Sequence, residues 1–400
     1  MYDVLLKGGR VVDPSQGINR VKDVAVRDGK VVALADRIRG EALQTIHVAG
    51  KLVFPGLIDL HTHVYWKGTS VSVNADSLAA RTGVTTFVDA GSSGAGNFLG
   101  FRDYVIARSR VRILAFLNIG FAGIFGFVVD RRAPTNTVII GELCDTRLGN
   151  AGEAVRIGKE YPEVVVGIKV RPGNDGGCGA GGVEPISAAK KAAKELGKPL
   201  MVHIGGAPPA VDAVLPMLEA GDIITHVFRG NPNSLLDEGG KILSALVEAR
   251  KRGVIFDLGH GSSSFSFETA QKMLDQGFLP DVISSDVHVL SINGPAHDLP
   301  TTMSKMLCLG MDMDAVIMAC TKNPARAISR GDELGTLREG TVGDISILEL
   351  RTGKFRFVDG FGNRIDGKRK FIPFLTISGG EVLASGQGRR ENSSDRIKAP

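Results

Sequence analysis

Leu57-Ile58-Asp59-Leu60-His61-Thr62-His63 is the stretch whose reading decides the fold. It sets two histidines two residues apart at the end of an apolar run. Side chains alternate along a strand, so His61 and His63 emerge on one face, within reach of one metal ion. The approach from Lys51 to Leu60 has the apolar density of a buried parallel strand, punctuated by Pro55-Gly56. A structural pair of histidines on a strand is the alternative, and the rest of the chain has to decide between them.

Working outward, the middle of the chain alternates apolar strands with helical segments, the pattern of β/α units around a parallel sheet. Eight stretches read as strands: Val53–His63, Val84–Asp89, Ile113–Gly120, Val164–Arg171, Pro199–His203, Ile223–Phe228, Val254–Leu258 and Val282–Asp286. Helical stretches such as Ser187–Leu196 and Lys241–Lys251 separate most of them. Eight such units predict a TIM barrel with its active site at the strand C-termini. The first fifty residues read instead as short strands and turns, with Asp28-Gly29 a hairpin signal. A related pattern returns after Gly343, so both termini combine into a small β-sandwich domain, residues 1–52 with 337–385. The barrel occupies 53–336, and the polar residues 386–400 read as a disordered tail.

Length and composition agree with an ordinary globular enzyme: 400 residues, 43% hydrophobic, 23% charged, and 52 glycines suited to tight strand-to-helix turns. The net charge of +5 comes without long basic blocks or a stacking platform, which excludes a nucleic-acid footprint. No stretch reaches the ~18 apolar residues of a membrane span, and the first residues lack a signal-peptide pattern. Cys144, Cys178, Cys308 and Cys320 are scattered, with no disulfide framework, which reads as a reduced, cytoplasmic enzyme.

The test of the opening pair is whether further ligands fall at later strand ends. His203, His226 and Asp286 do. Singly each has a bland reading, a core histidine or a capping aspartate. Together they form a donor set suited to Zn²⁺ and similar divalent ions. Lys169 lies in the apolar strand Val164–Arg171, where desolvation lowers an amine's pKa. A neutral amine there can take up carbon dioxide as a carbamate able to bridge two metals; a lysine paired with a carboxylate is the alternative.

In this order His61-x-His63, Lys169, His203, His226 and Asp286 resemble the amidohydrolase superfamily, over nearly the whole chain. The resemblance implies a binuclear centre: the histidine pair and Asp286 on one ion, His203 and His226 on the second, and carboxylated Lys169 bridging them with a hydroxide. Asp286 is then the general base and acid in hydrolysis of an amide or ester. A homo-oligomer acting on a small molecule is expected. Dihydroorotases carry an arginine two residues after the His-x-His, where this chain has Tyr65. The segment from Phe256 to Phe267 is similar to a deacetylase-like, dihydroorotase-like branch acting on acyl derivatives of small amino or hydroxy acids. A cyclic-amide hydrolase is the alternative within the class, and a non-catalytic barrel scaffold the alternative outside it.

Candidate substrate-binding residues are Arg171, on the same strand face as Lys169, His260 with Gly261 after the seventh strand, Arg229, and Tyr65. Rim salt bridges and backbone-bonded loop histidines are the competing readings. His288 is placed to orient Asp286. The glycine-rich loop Gly173–Gly182 lacks phosphate-loop register and reads as a lid or a plain connector.

Overall fold

The structure is a computed structural model that describes residues 1–126, 141–173 and 182–383. The proposed tail, Cys178 and nearly all of the 173–182 loop lie outside the described residues.

The chain opens with β1 (Tyr2–Asp13), β2 (Ile18–Arg27), β3 (Lys30–Ala35), β4 (Ala42–His47) and β5 (Leu52–Pro55). Asp28 and Gly29 both take positive φ, 50° and 71°, and close the β2–β3 hairpin as the Asp-Gly signal requires. After the central region come β13 (Ile345–Val358), β14 (Arg364–Ser378) and β15 (Glu381–Leu383), and β13 pairs with β5. Both termini thus build one eight-stranded mixed sheet, in the order β15-β14-β13-β5-β1-β2-β3 with β4 on β1. The expected sandwich is seen as this single hydrogen-bonded sheet.

Between these halves run β6 (Leu57–Thr62), β7 (Val84–Gly94), β8 (Arg112–Asn118), β9 (Val165–Val170), β10 (Leu200–His203), β11 (Ile223–Thr225) and β12 (Ile255–Asp257). They form a parallel sheet in sequence order, curled so that its first and last strands face the same segment. Helices follow the strands, among them Ala75–Thr82, Glu184–Leu196, Ser244–Lys251, Phe267–Asp275 and Leu299–Cys308. Asn74 and Ser266 cap two of their N-termini by accepting backbone N–H bonds. Pro55-Gly56 marks the passage between the sheets: β5 ends in the mixed sheet and β6 starts the parallel one.

The eighth expected strand, Val282–Asp286, is not a regular strand. Its Asp286 has φ of 46°, outside the extended region. The segment still bonds on both sides. Leu258 and His260 donate to the Val282 and Ser284 carbonyls, and Asp286 N–H donates to His61 at 2.8 Å. Among the described residues no helix is long and apolar enough to cross a membrane. Cys308 and Cys320 carry free thiols, whereas Cys144 is disulfide-bonded, which corrects the expectation that none would be.

Candidate metal centre

The strand ends deliver a group of buried donors to one place. The ligand atoms of His61, His63 and Asp286 lie within 4.8 Å of one another, a set that could hold a metal ion. Each histidine is oriented from behind. His61 Nδ1 donates to Thr225 Oγ1 at 2.9 Å, and that hydroxyl donates to Asp257 Oδ2 at 2.6 Å. His63 Nδ1 shares a hydrogen bond with Ser92 Oγ at 2.9 Å. With both Nδ1 atoms engaged, the Nε2 atoms of His61 and His63 face Asp286 Oδ1 at 3.5 and 3.4 Å. That oxygen is buried and has no hydrogen-bond partner. An anionic oxygen kept from water between two imidazole nitrogens is what a cation site requires, so these residues fit a divalent metal.

His203 and His226 do not belong to the three-residue set; they meet each other. His226 Nε2 lies 2.8 Å from His203 Nδ1, and His226 Nδ1 donates to Gly259 O at 2.7 Å. The His226 ring is 5.1 Å from that of His61, which joins the two histidine pairs. Lys169, on β9, puts Nζ 3.3 Å from His61 Nε2 and 3.6 Å from Met201 Sδ. Burial pushes its pKa down to about 8, outweighing the pull of Asp286 and Asp257. Burial also lowers His61 and drives His226 well below the usual imidazole range. For Asp286, burial acts upward but the surrounding imidazoles outweigh it and hold the carboxyl well below its ordinary range. His226 and Asp286 both sit at positive φ, 76° and 46°, a strained backbone concentrated at the site.

Glycines let the backbone press against these groups. A Cβ at Gly91 would stand 2.7 Å from Lys169 Cγ, and one at Gly261 2.5 Å from Asp286 Oδ2. Gly261 therefore meets the site by its backbone, as a wall against the carboxylate.

The other expected substrate contacts have different partners. Arg171 is held by Glu142 through two bonds of 3.0 and 2.7 Å, both side chains buried. His260 uses both ring nitrogens inside the protein, on Gly261 O and on Lys305 Nζ at 2.6 Å. Tyr65 stacks on Phe101, with centroids 4.6 Å apart, and its hydroxyl donates to Asn97 O. Arg229 is half-buried, three residues past His226, with Nη1 on Ile204 O at 3.5 Å. His288 is buried 6.1 Å from the His63 ring, and burial holds its pKa down to about 4, so it stays neutral beside Asp286.

Sequence reading missed Thr225, Asp257, Ser92, Glu142 and Lys305, whose amine meets His260. Thr225 and Asp257 carried a signal, polar residues at the ends of apolar strands β11 and β12. Glu142 and Lys305 carried none.

Known proteins resemble this chain over most of its length. Residues 241–382 match the amidohydrolase family. A deacetylase of Agrobacterium fabrum is 38% identical over 359 residues, covering 90% of this chain and 85% of that protein. The crystal structure of an adenine deaminase superposes with a TM-score of 0.86 at 34% identity, covering 96% of this chain and 100% of that one. A dihydroorotase structure gives 0.85 at 35%, covering 96% and 98%.

Proposed function

The chain belongs to the amidohydrolase family, and from that premise we propose that it hydrolyses the amide or ester bond of a small acyl derivative, acetyl above all, of an amino or hydroxy acid. The observation that carries the reading is the buried, unbonded Asp286 Oδ1 between His61 and His63. The extended likeness to a deacetylase supports the acyl specificity.

His61, His63 and Asp286 would hold one divalent ion, zinc by its donor set, and His203 with His226 a second; Lys169 as a carbamate would link the two. Such ions supply Lewis acidity, activating water near neutral pH and polarising the scissile carbonyl. Asp286 does the proton work: ionised by its imidazole neighbours, it accepts a proton from the attacking water and returns it to the leaving nitrogen or oxygen. Thr225 and Ser92 fix the ring orientations of His61 and His63, and Gly259 that of His226. Arg229, three residues past His226, is the candidate contact for a substrate carboxylate, and Arg171, two residues past Lys169, is paired with Glu142. Segment 282–287 is read as the eighth strand, closing the barrel between β12 and β6.

The cyclic-amide alternative has the likeness to a dihydroorotase structure in its favour. Tyr65 weighs against it. The residue two past His63 carries no cation and is packed on Phe101 with its hydroxyl on a backbone carbonyl.

Metal analysis of purified protein tests the reading. About two divalent ions per chain are expected, with loss of deacylation on chelation and recovery on adding zinc and bicarbonate. Metal below about one per chain, unrestored by zinc and bicarbonate, would count against it.

A further inference from the structure

Lys305 is one of the largest side chains in the protein with no exposed surface, and the mechanism above does not use it. It lies on the helix Leu299–Cys308, and burying an ammonium is costly unless each proton finds an acceptor. Here each does. Nζ donates to His260 Nε2 at 2.6 Å, Pro295 O at 2.8 Å and Val358 O at 2.7 Å. Burial lowers the Lys305 pKa to about 7, and in its protonated form this one amine gathers the loop after β12, the loop before its own helix, and the end of β13 in the mixed sheet.

His260 passes that constraint on. Because Nε2 accepts from Lys305, Nδ1 carries the proton and donates to Gly261 O at 2.9 Å. Burial, then the Lys305 charge, pushes the His260 pKa well down, consistent with this neutral tautomer. The ring is clamped face-on against Phe265, centroids 4.6 Å apart and planes 28° from parallel.

The turn fixed in this way, Gly259–Gly261, touches both halves of the metal centre. Gly259 O receives the His226 Nδ1 proton at 2.7 Å. Gly259 (φ 53°) approaches so closely that a Cβ would fall 2.3 Å from Thr225 Oγ1 and 2.8 Å from His226 Nδ1. Gly261 (φ 56°) stands against Asp286, as described. Left-handed glycine pairs are conformationally loose, so this turn needs an external hold to keep its carbonyl on His226.

We infer that Lys305 and His260 form a positioning pair: through the Gly259–Gly261 turn they set the orientation of His226 and the packing of Asp286. They touch neither substrate nor metal. The inference rests on the hydrolase reading above and moves His260 from the substrate contact expected from sequence to a supporting role. It also gives the mixed sheet a part in the site, because Val358 anchors the same ammonium.

The test compares wild type, Lys305→Met and His260→Gln by thermal melting, by kcat and KM on the best acyl substrate, and by chelator competition for zinc. Both variants are expected to melt cooperatively, to lose roughly ten- to a hundredfold in kcat with KM within about twofold, and to lose zinc affinity by a similar factor. Folded variants with kcat and zinc affinity within about twofold of wild type would overturn the inference, as would a rise in KM alone. If Lys305→Met does not melt cooperatively, His260→Gln decides by the same criteria. Failure of the wild type on every acyl substrate would sink the deacylase reading, while the chelator measurement would still decide the positioning role.

Discussion

Replacing Thr225 with valine removes one hydroxyl and nothing else, since the two side chains share a shape. The cavity term that dominates most buried substitutions is therefore absent. What is lost is a two-step support. His61 Nδ1 loses its acceptor at 2.9 Å, and Asp257 Oδ2 loses a donor at 2.6 Å. Asp257 keeps the Ser284 hydroxyl at 2.6 Å, so it is not orphaned. His61 does have Asp257 Oδ2 at 3.5 Å, beyond good hydrogen-bond range, and must swing to use it. Losing a bond to a charged group costs about 1.5–3 kcal/mol of stability. Freed from Thr225, His61 presents Nε2 less reliably toward Asp286, and removal of such a supporting contact lowers metal affinity by roughly 10–100-fold, or about 1.4–2.8 kcal/mol. Zinc affinity measured by chelator competition, beside a melting curve of the stripped protein, reads both quantities. A stripped protein as stable as wild type, holding zinc within about twofold of wild-type affinity, would refute the reasoning.

Five further outcomes are expected. Asp286→Asn should cut turnover by about 10²–10⁴-fold, the usual contribution of general acid–base catalysis, while His203 and His226 still retain metal; undiminished turnover would remove Asp286 as the proton carrier. With the Lys169 pKa near 8, reactivation of stripped protein at fixed dissolved carbon dioxide should speed up roughly tenfold per pH unit below 8 and level off above it. The same depressed pKa means that the folded state binds fewer protons than the unfolded one, so stripped-protein stability should rise as pH goes from about 8 toward 10.5, and a flat profile would contradict the burial of a free amine. Gly91→Ala combines φ of 88° with a Cβ 2.7 Å from Lys169 Cγ, and should cost about 1–3 kcal/mol together with loss of bicarbonate-dependent reactivation. Glu142→Gln leaves the buried Arg171 guanidinium without its carboxylate and should destabilise by about 3 kcal/mol in a melting experiment; a neutral effect would show that other contacts hold Arg171.

His61, His63 and Asp286, the three that the fold gathers into one possible metal-binding group, stood out in the sequence because each closes an apolar run. Seven of the eight strands read from the sequence are the seven strands of the parallel sheet. The eighth, Val282–Asp286, read as a strand but is not a regular one, because Asp286 turns left-handed at φ 46°, which an apolar run does not announce. Partners across the fold were the other gap. Spacing put Arg171 on the Lys169 face, but nothing local reveals that Glu142, 29 residues earlier, takes its fork. His260 read as a substrate contact because Lys305, 45 residues on, sits in an ordinary-looking helix whose burial only tertiary packing decides. Both termini were expected to join and do, yet a sandwich and a single mixed sheet share one alternation pattern.

Turnover by the zinc- and bicarbonate-loaded enzyme of one panel, N-acetyl amino acids and acetylated hydroxy acids set against dihydroorotate and hydantoins, tests the central claim most directly. Hydrolysis of the acyl derivatives, abolished by chelation and by Asp286→Asn, is the result predicted; turnover of the ring substrates alone would contradict it.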